Sequence, residues 1–327
     1  MRESKFVGCV VGLAVGDALG YPAEFRSRAQ LVREIGPDGI TGFVALKDPR
    51  FSRPFFVGAG HPPGTYTDDT QMTIAVAESL LAANEAELDG LMTEMSARFV
   101  DWSKSETNNR APGGACIEGC RKLARGIPWR ESGVRESKGC GAAMRVAPIG
   151  LFYDDLEQVA EVARSSSLLT HGHPAALEGA AAAALMVALA LKGVAPQEMF
   201  NEIDRCCSSH SNDFAKVWRM LPNLIDEPPE RVLVEGVLGE GWVAEEAVAS
   251  AMYCHWRHSN DFRQAVLTAI NTDGDSDSIG TITGSVVGVY LGVDAIPAAW
   301  RQEVEDSDYL HELGRRLFRK RQGTAAT

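Results

Sequence analysis

Two stretches far apart in the 327-residue chain crowd carboxylates and hydroxyls together: Thr67-Asp68-Asp69-Thr70 and Asp273-Gly274-Asp275-Ser276-Asp277-Ser278. Oxygen donors at this density suit hard divalent cations, Mg2+ first and Mn2+ next, rather than zinc. Each stretch also has a plain structural reading. Both run into helix-patterned segments, where acidic groups satisfy free N–H groups and complement the macrodipole. Asp68 with Gln71 has the form of a capping box. Capping uses one carboxylate per helix, whereas these stretches supply two and three. An EF-hand is excluded, because Ser278 stands at its turn glycine and Gly284 at its bidentate glutamate. Joining the stretches gives another picture. Two helix starts face one cavity and share a pair of ions, held about 3.5–4 Å apart by bridging carboxylates. Spacing alone leaves capping and joint metal ligation both open.

Other reactive groups are fewer. A helix ending at Gly20 to Pro22 leaves Glu24 in the following loop, where a carboxylate can gate a site or act as a base. Asp17, inside that helix, reads as structural. Cys254, His255 and His258 imitate a zinc site, but no second cysteine pair completes a tetrahedral set. The seven cysteines form no Cys-x-x-Cys pair and read as reduced thiols of a cytoplasmic protein. A net charge of −12 excludes an extended nucleic-acid surface. The apolar stretches 6–15 and 279–293 read as buried helices, being too short or too interrupted to span a bilayer.

The elements that must position these residues are helical. Apolar residues recur at three- and four-residue spacing over 74–83, 88–102, 158–169, 175–191, 245–258 and 262–270. No alternating β-branched runs with hairpin turns argue for a sheet. The expectation is therefore one all-α domain over 1–327, with long irregular stretches at 27–65 and 103–138 and a frayed tail over 319–327. Gly8, Gly12, Gly16 and Gly20 recur every four residues, as do Gly280, Gly284, Gly288 and Gly292. On a helix this keeps each set on one face, so the first and last core helices should pack closely, against each other.

Five features then follow one another in the order and spacing of a known family. They are Gly12-Leu13-Ala14-Val15-Gly16-Asp17-Ala18-Leu19-Gly20 with Glu24; Thr67-Asp68-Asp69-Thr70; the stretch from Gly139 to Pro148; Thr170-His171; and Asp275-Ser276-Asp277-Ser278. From about residue 7 to 292 the chain resembles the ADP-ribosylglycohydrolase family, which includes dinitrogenase-reductase-activating and ADP-ribosyl-acceptor hydrolases. The resemblance implies a compact, orthogonal helical bundle around a central binuclear metal site. Thr67, Asp68, Asp69, Asp275, Asp277 and Ser278 would be the ligands of two divalent cations, Mg2+ or Mn2+. Glu24 and Asp69 would be catalytic, moving a proton while a metal-polarised water attacks the distal ribose. Ser137, Gly139, Cys140, Gly141, Met144, Gly113 and His171 would bind substrate, the glycines letting backbone N–H groups approach a diphosphate.

Two departures stand out. Cys140 replaces an asparagine common in the family, and Asn109-Arg110-Ala111-Pro112-Gly113-Gly114 lacks the acid that arginine-directed members carry there. The implied activity is metal-dependent cleavage of ADP-ribose from a protein or small-molecule acceptor by a monomer with no membrane attachment. A catalytically silent ADP-ribose-binding or structural protein, and a hydrolase of another ribosyl compound, are the alternatives.

Overall fold

The first helix, α1 (Glu3–Gly20), is buried at every residue from Phe6 to Gly20. A helix with no polar face belongs in the middle of a core. The computed structural model describes residues 2–44, 61–83 and 87–324. After α1 come α2 (Arg28–Glu34), α3 (Asp68–Ala82), α4 (Leu88–Lys104), α5 (Gly114–Ala124) and α6 (Trp129–Ser132). A 3-10 segment, Cys140–Arg145, leads into α7 (Ala147–Phe152), α8 (Leu156–Leu168), α9 (Pro174–Leu191) and α10 (Pro196–Cys207). Then follow α11 (Asn212–Trp218), α12 (Leu221–Leu224), α13 (Ala244–Arg257), α14 (Phe262–Ile270) and α15 (Ser276–Leu291). Helices α16 (Ala298–Glu303) and α17 (Ser307–Thr324) complete the described chain. Among the described residues only two isolated bridges have β character, Val134 with His171 and Gly139 with Val243. The architecture is a single all-α domain, as the periodicity predicts.

The glycine stripes form its spine. A Cβ built on Gly8 would lie 2.3 Å from the carbonyl oxygen of Gly288, on Gly12 2.4 Å from that of Gly284, and on Gly16 2.0 Å from that of Gly280. Partner numbers fall as the first rise, so α1 and α15 run antiparallel with their backbones in contact. Each glycine costs a helix about 1 kcal/mol of propensity, and the close approach offsets it through dispersion contacts no larger residue would permit. At the end of this spine, a Cβ on Gly20 would meet the Asp277 Cα at 2.5 Å. The core seam thus runs straight into the second carboxylate stretch.

Helix α9 is long and apolar enough to cross a bilayer, yet 89% of it is buried inside the protein. Alanines 180–184, among its most helix-favouring residues, line the core with at most 3% exposure.

Three expectations need correction. The stretch 103–138 is not irregular throughout, since α5 occupies 114–124 with Cys116, Gly119 and Cys120 inward. Its small residues gave no apolar stripe to read. A Cβ on Gly119 would meet the Leu169 carbonyl oxygen at 2.5 Å, which shows how tightly that face packs. Within 27–65, α2 is capped by the Ser27 hydroxyl, which accepts from Gln30 N–H at 3.2 Å; 45–60 lies outside the described residues. Nor does the chain fray after Phe318, because α17 continues to Thr324. Leu310, Leu313 and Leu317 are buried on its inner face. Arg321, only 3% exposed, donates to the Leu151 carbonyl at the end of α7 and to Asp154. A cation there complements the exposed carbonyls of a helix C-terminus. The basic run hides a docking residue. Residues 325–327 lie outside the described chain.

Candidate active site

The capping question is settled by hydrogen bonds. Thr67, extended in backbone, caps α3: its hydroxyl accepts from Asp69 N–H at 3.4 Å. Asp275 caps α15, its Oδ1 accepting from Ser278 N–H at 3.3 Å. Each helix has its cap; Asp68 and Asp69 remain as surplus carboxylates, and Asp277 shares Ser278 N–H with the cap at 3.1 Å, all three buried.

Both helix starts open on one cavity of about 340 Å3. Asp68, Asp69, Asp275, Asp277 and Ser278 line it together with Glu24. Gly113, Ser137, Gly139, Cys140, Gly141, Met144 and His171 line the same cavity. Thr67 does not reach the cavity. It is fully buried beneath the floor, its hydroxyl proton directed to Asp17 Oδ1 at 2.8 Å, with Asp69 Oδ2 farther off at 3.3 Å. Glu24 sits in the turn after α1 as expected, 6% exposed rather than free in solvent.

Asp17 organises the floor. It accepts from Thr67 N–H and Thr70 N–H, each at 3.0 Å, and from the Thr70 hydroxyl at 2.6 Å. Its place inside α1 is structural, tying that helix to the start of α3.

Negative charge accumulates with little to answer it. Burial, then neighbouring Asp277, pushes the Asp17 carboxyl up to about 7. Burial raises Asp69 well above the usual carboxylate range, reinforced by Asp277, Asp17 and Asp68. Asp68 and Asp275 are raised in the same way, burial first. Donors are sparse: Gly113 N–H reaches Asp68 at 3.1 Å, and the Cys140 thiol reaches Asp275 at 2.8 Å. Asp69 Oδ1 is buried with no hydrogen-bond partner. Buried carboxylates that repel one another and leave an oxygen orphaned have the chemistry of a cation site. Among the described residues, no three His, Cys, Asp or Glu side chains already form a cation cage. Ser278 brings a hydroxyl oxygen to the same cavity. The donor set fits a hard divalent ion.

Around the glycine loop the packing is close. A Cβ on Gly141 would meet Cys116 Sγ at 2.7 Å and His171 Cε1 at 2.9 Å, and one on Gly139 would meet His171 Nε2 at 3.1 Å. The imidazole leaves little room for a side chain at Gly139 and none at Gly141 unless a neighbour shifts. Below it runs a relay through Arg145, a residue the predicted site does not include. Arg145, completely buried, donates to Thr170 Oγ1 at 2.8 Å, to Ser166 O at 2.9 Å and to Gly141 O at 3.0 Å. Since a guanidinium only donates, the Thr170 oxygen accepts from it, and the same oxygen lies 2.8 Å from His171 Nδ1, within hydrogen-bond reach. With Nδ1 engaged by Thr170, Nε2 is the ring nitrogen turned to the glycine loop. Burial, then Arg145, holds His171 down to about 3, so it is neutral.

Phe25 and Trp242 also line the cavity, stacked with ring centroids 4.9 Å apart. Phe25 is 45% exposed and adopts φ of 63°, a conformation costly for a bulky side chain. Separated in sequence and lying in loops, the pair leaves no periodic signal. The stretch Ala111 to Ala115 supplies no acid of its own, though Asp68 lies against it at Gly113, and Arg110 just before it pairs with Glu305 at 2.9 Å.

The profile of the ADP-ribosylglycohydrolase family matches residues 1–327. The chain belongs to that family. Membership makes it a hydrolase of glycosyl bonds. It is 33% identical over 323 residues to an uncharacterised protein of Archaeoglobus fulgidus, covering 97% of this chain and 96% of the relative. It is 31% identical to the ADP-ribosylhydrolase ARH3 of Gallus gallus, covering 95% and 93%. The ADP-ribosylarginine hydrolase Tri1 of Serratia proteamaculans is 26% identical, covering 96% and 79%. A solved ADP-ribosylglycohydrolase-related protein complex superimposes with a TM-score of 0.77 at 26% identity, covering 98% of this chain and 99% of that one.

Proposed function

We propose that this ADP-ribosylglycohydrolase is a divalent-cation-dependent enzyme that hydrolyses the bond between the distal ribose of ADP-ribose and its acceptor on a protein or small molecule. The observation that carries the reading is the surplus of buried carboxylates, beyond both helix caps, around a single cavity. Asp68, Asp69, Asp275, Asp277 and Ser278 would hold the cations, Mg2+ or Mn2+, with Thr67 beneath Asp69. Bound there, such ions orient ribose hydroxyls and acidify a water.

The chain's own groups do the rest. Glycines 139 and 141 let the loop pack against His171, which keeps the loop backbone on the cavity where a diphosphate would lie. Neutral His171 donates from Nε2 to a substrate oxygen and cannot compete as a cation. Asp69, with one oxygen free of protein partners, takes the proton from the attacking water. Glu24, on the same cavity, is the other candidate to move a proton.

The stretch Ala111 to Ala115, with no acid of its own, favours an uncharged, oxygen-linked acceptor over a guanidinium. A panel of oxygen-linked and arginine-linked ADP-ribosylated substrates, assayed with Mg2+, Mn2+ or chelator, tests the proposal. Cation-dependent release from the oxygen-linked members is the expected result, with Asp277→Ala inactive. Undiminished turnover in chelator, or in Asp277→Ala, sinks it.

A further inference from the structure

Cys140 occupies an odd place for a thiol. It belongs to the 3-10 segment, and its N–H is pinned to the Trp242 carbonyl at 3.2 Å. Its sulfur meets two candidate ligands from another element: Asp275 Oδ2 at 2.8 Å and Ser278 Oγ at 3.5 Å. All three line the cavity. On the same cavity lies Asp69, whose buried Oδ1 is an acceptor without a donor. A sulfur and a carboxylate oxygen that now share a proton, each fixed by its own backbone, can share a cation instead.

We propose that Cys140 makes the Asp275 side of this centre a mixed oxygen–sulfur site, which takes a thiophilic divalent cation of the zinc and cadmium class with the Cys140 sulfur as direct ligand. Thiolate sulfur selects softer cations than carboxylate and hydroxyl oxygens do. On binding, the S–H bond breaks, a sulfur–metal bond forms and the proton leaves to water, with no change in oxidation state. The other thiol on the cavity, Cys116, is the wrong ligand. The Arg145 guanidinium lies 3.8 Å from its sulfur and repels a second cation.

The inference rests on the cavity being a cation site, and the test separates the two. The full-length protein is titrated with Cd2+ and followed by ultraviolet absorption for a thiolate-to-cadmium band, and with Mn2+ by calorimetry. Wild type and Cys116→Ser should develop the same saturable band. Cys140→Ser should lose it and bind Cd2+ at least about tenfold more weakly, the smaller loss that removing even an outer partner causes, while still taking up Mn2+. A band that survives in Cys140→Ser, or Cd2+ uptake by wild type without a band, overturns the sulfur ligand and leaves the oxygen site standing. Absence of uptake of either ion by wild type overturns both.

Discussion

At the scale of single residues, Thr170 is the hinge between a buried charge and the imidazole on the cavity wall. Replacing it by Val removes the hydroxyl while keeping the volume, so Arg145 loses an acceptor and His171 Nδ1 loses its hydrogen-bond partner. Leaving buried polar groups unpaired costs about 1–3 kcal/mol. Thr170→Val should therefore lower the melting temperature and raise KM, whereas Thr170→Ser should restore both. If Val and Ser behave alike, the relay does not set the tautomer. The two candidate proton carriers also separate. Asp69 is held in the first turn of α3, Glu24 in a turn between helices. Asp69→Asn should reduce kcat by about 10²–10⁴-fold, measured as ADP-ribose release at saturating substrate, and Glu24→Gln by less. The reverse order would reassign the base. The carboxylates were readable in the sequence because capping explains only one per helix. Arg145, Phe25 and Trp242 were not, since their roles come from partners that only folding brings near.

At the scale of elements, the four-residue glycine spacing said more than any apolar pattern. Helices α1 and α15 were legible as partners because only backbone contact makes repeated glycines worthwhile in a buried helix. Helix α5 and the end of α17 were illegible for the opposite reason. One buries small residues, and the other buries a guanidinium through carbonyl partners that its own sequence does not contain. The spine also sets the site, since Gly20 lies against Asp277. Gly284→Ala, whose Cβ would fall 2.1 Å from the Gly12 carbonyl oxygen, should destabilise by about 1–3 kcal/mol through overpacking. Gly20→Ala should in addition weaken Mn2+ uptake by displacing the start of α15. Gly323→Ala, with nothing within 4 Å of its Cβ, is the comparator and should melt like wild type. Thermal unfolding with calorimetry checks all three; a Gly20→Ala protein that binds Mn2+ normally would uncouple spine from site.

At the scale of the whole molecule, folding stability carries the charge imbalance of the cavity. The Asp17 carboxyl titrates near 7 in the folded chain, against 3.8 for its ordinary value, because burial and Asp277 oppose its ionisation. The folded state then binds more protons than the unfolded one across that window, so this group's contribution to stability falls as pH rises through it. Asp68, Asp69 and Asp275 act in the same direction. Buried His171 and His255, held down to about 3 and about 4, act in the opposite direction below their ordinary 6.5. The two effects overlap, and a melting curve against pH without added metal mixes them. Their difference with and without cation does not. Neither imidazole is in the proposed ligand set, so their contribution is common to both measurements and cancels. Cations, by contrast, compete with protons for the aspartates, and ligand binding stabilises only the state that binds. The rise in melting temperature caused by saturating Mg2+ or Mn2+ should therefore be small near pH 5 and grow steadily toward pH 8. Asp277→Ala should flatten that growth. An increment equally large at pH 5, or unchanged in Asp277→Ala, would mean that the cations stabilise the protein somewhere other than between α3 and α15.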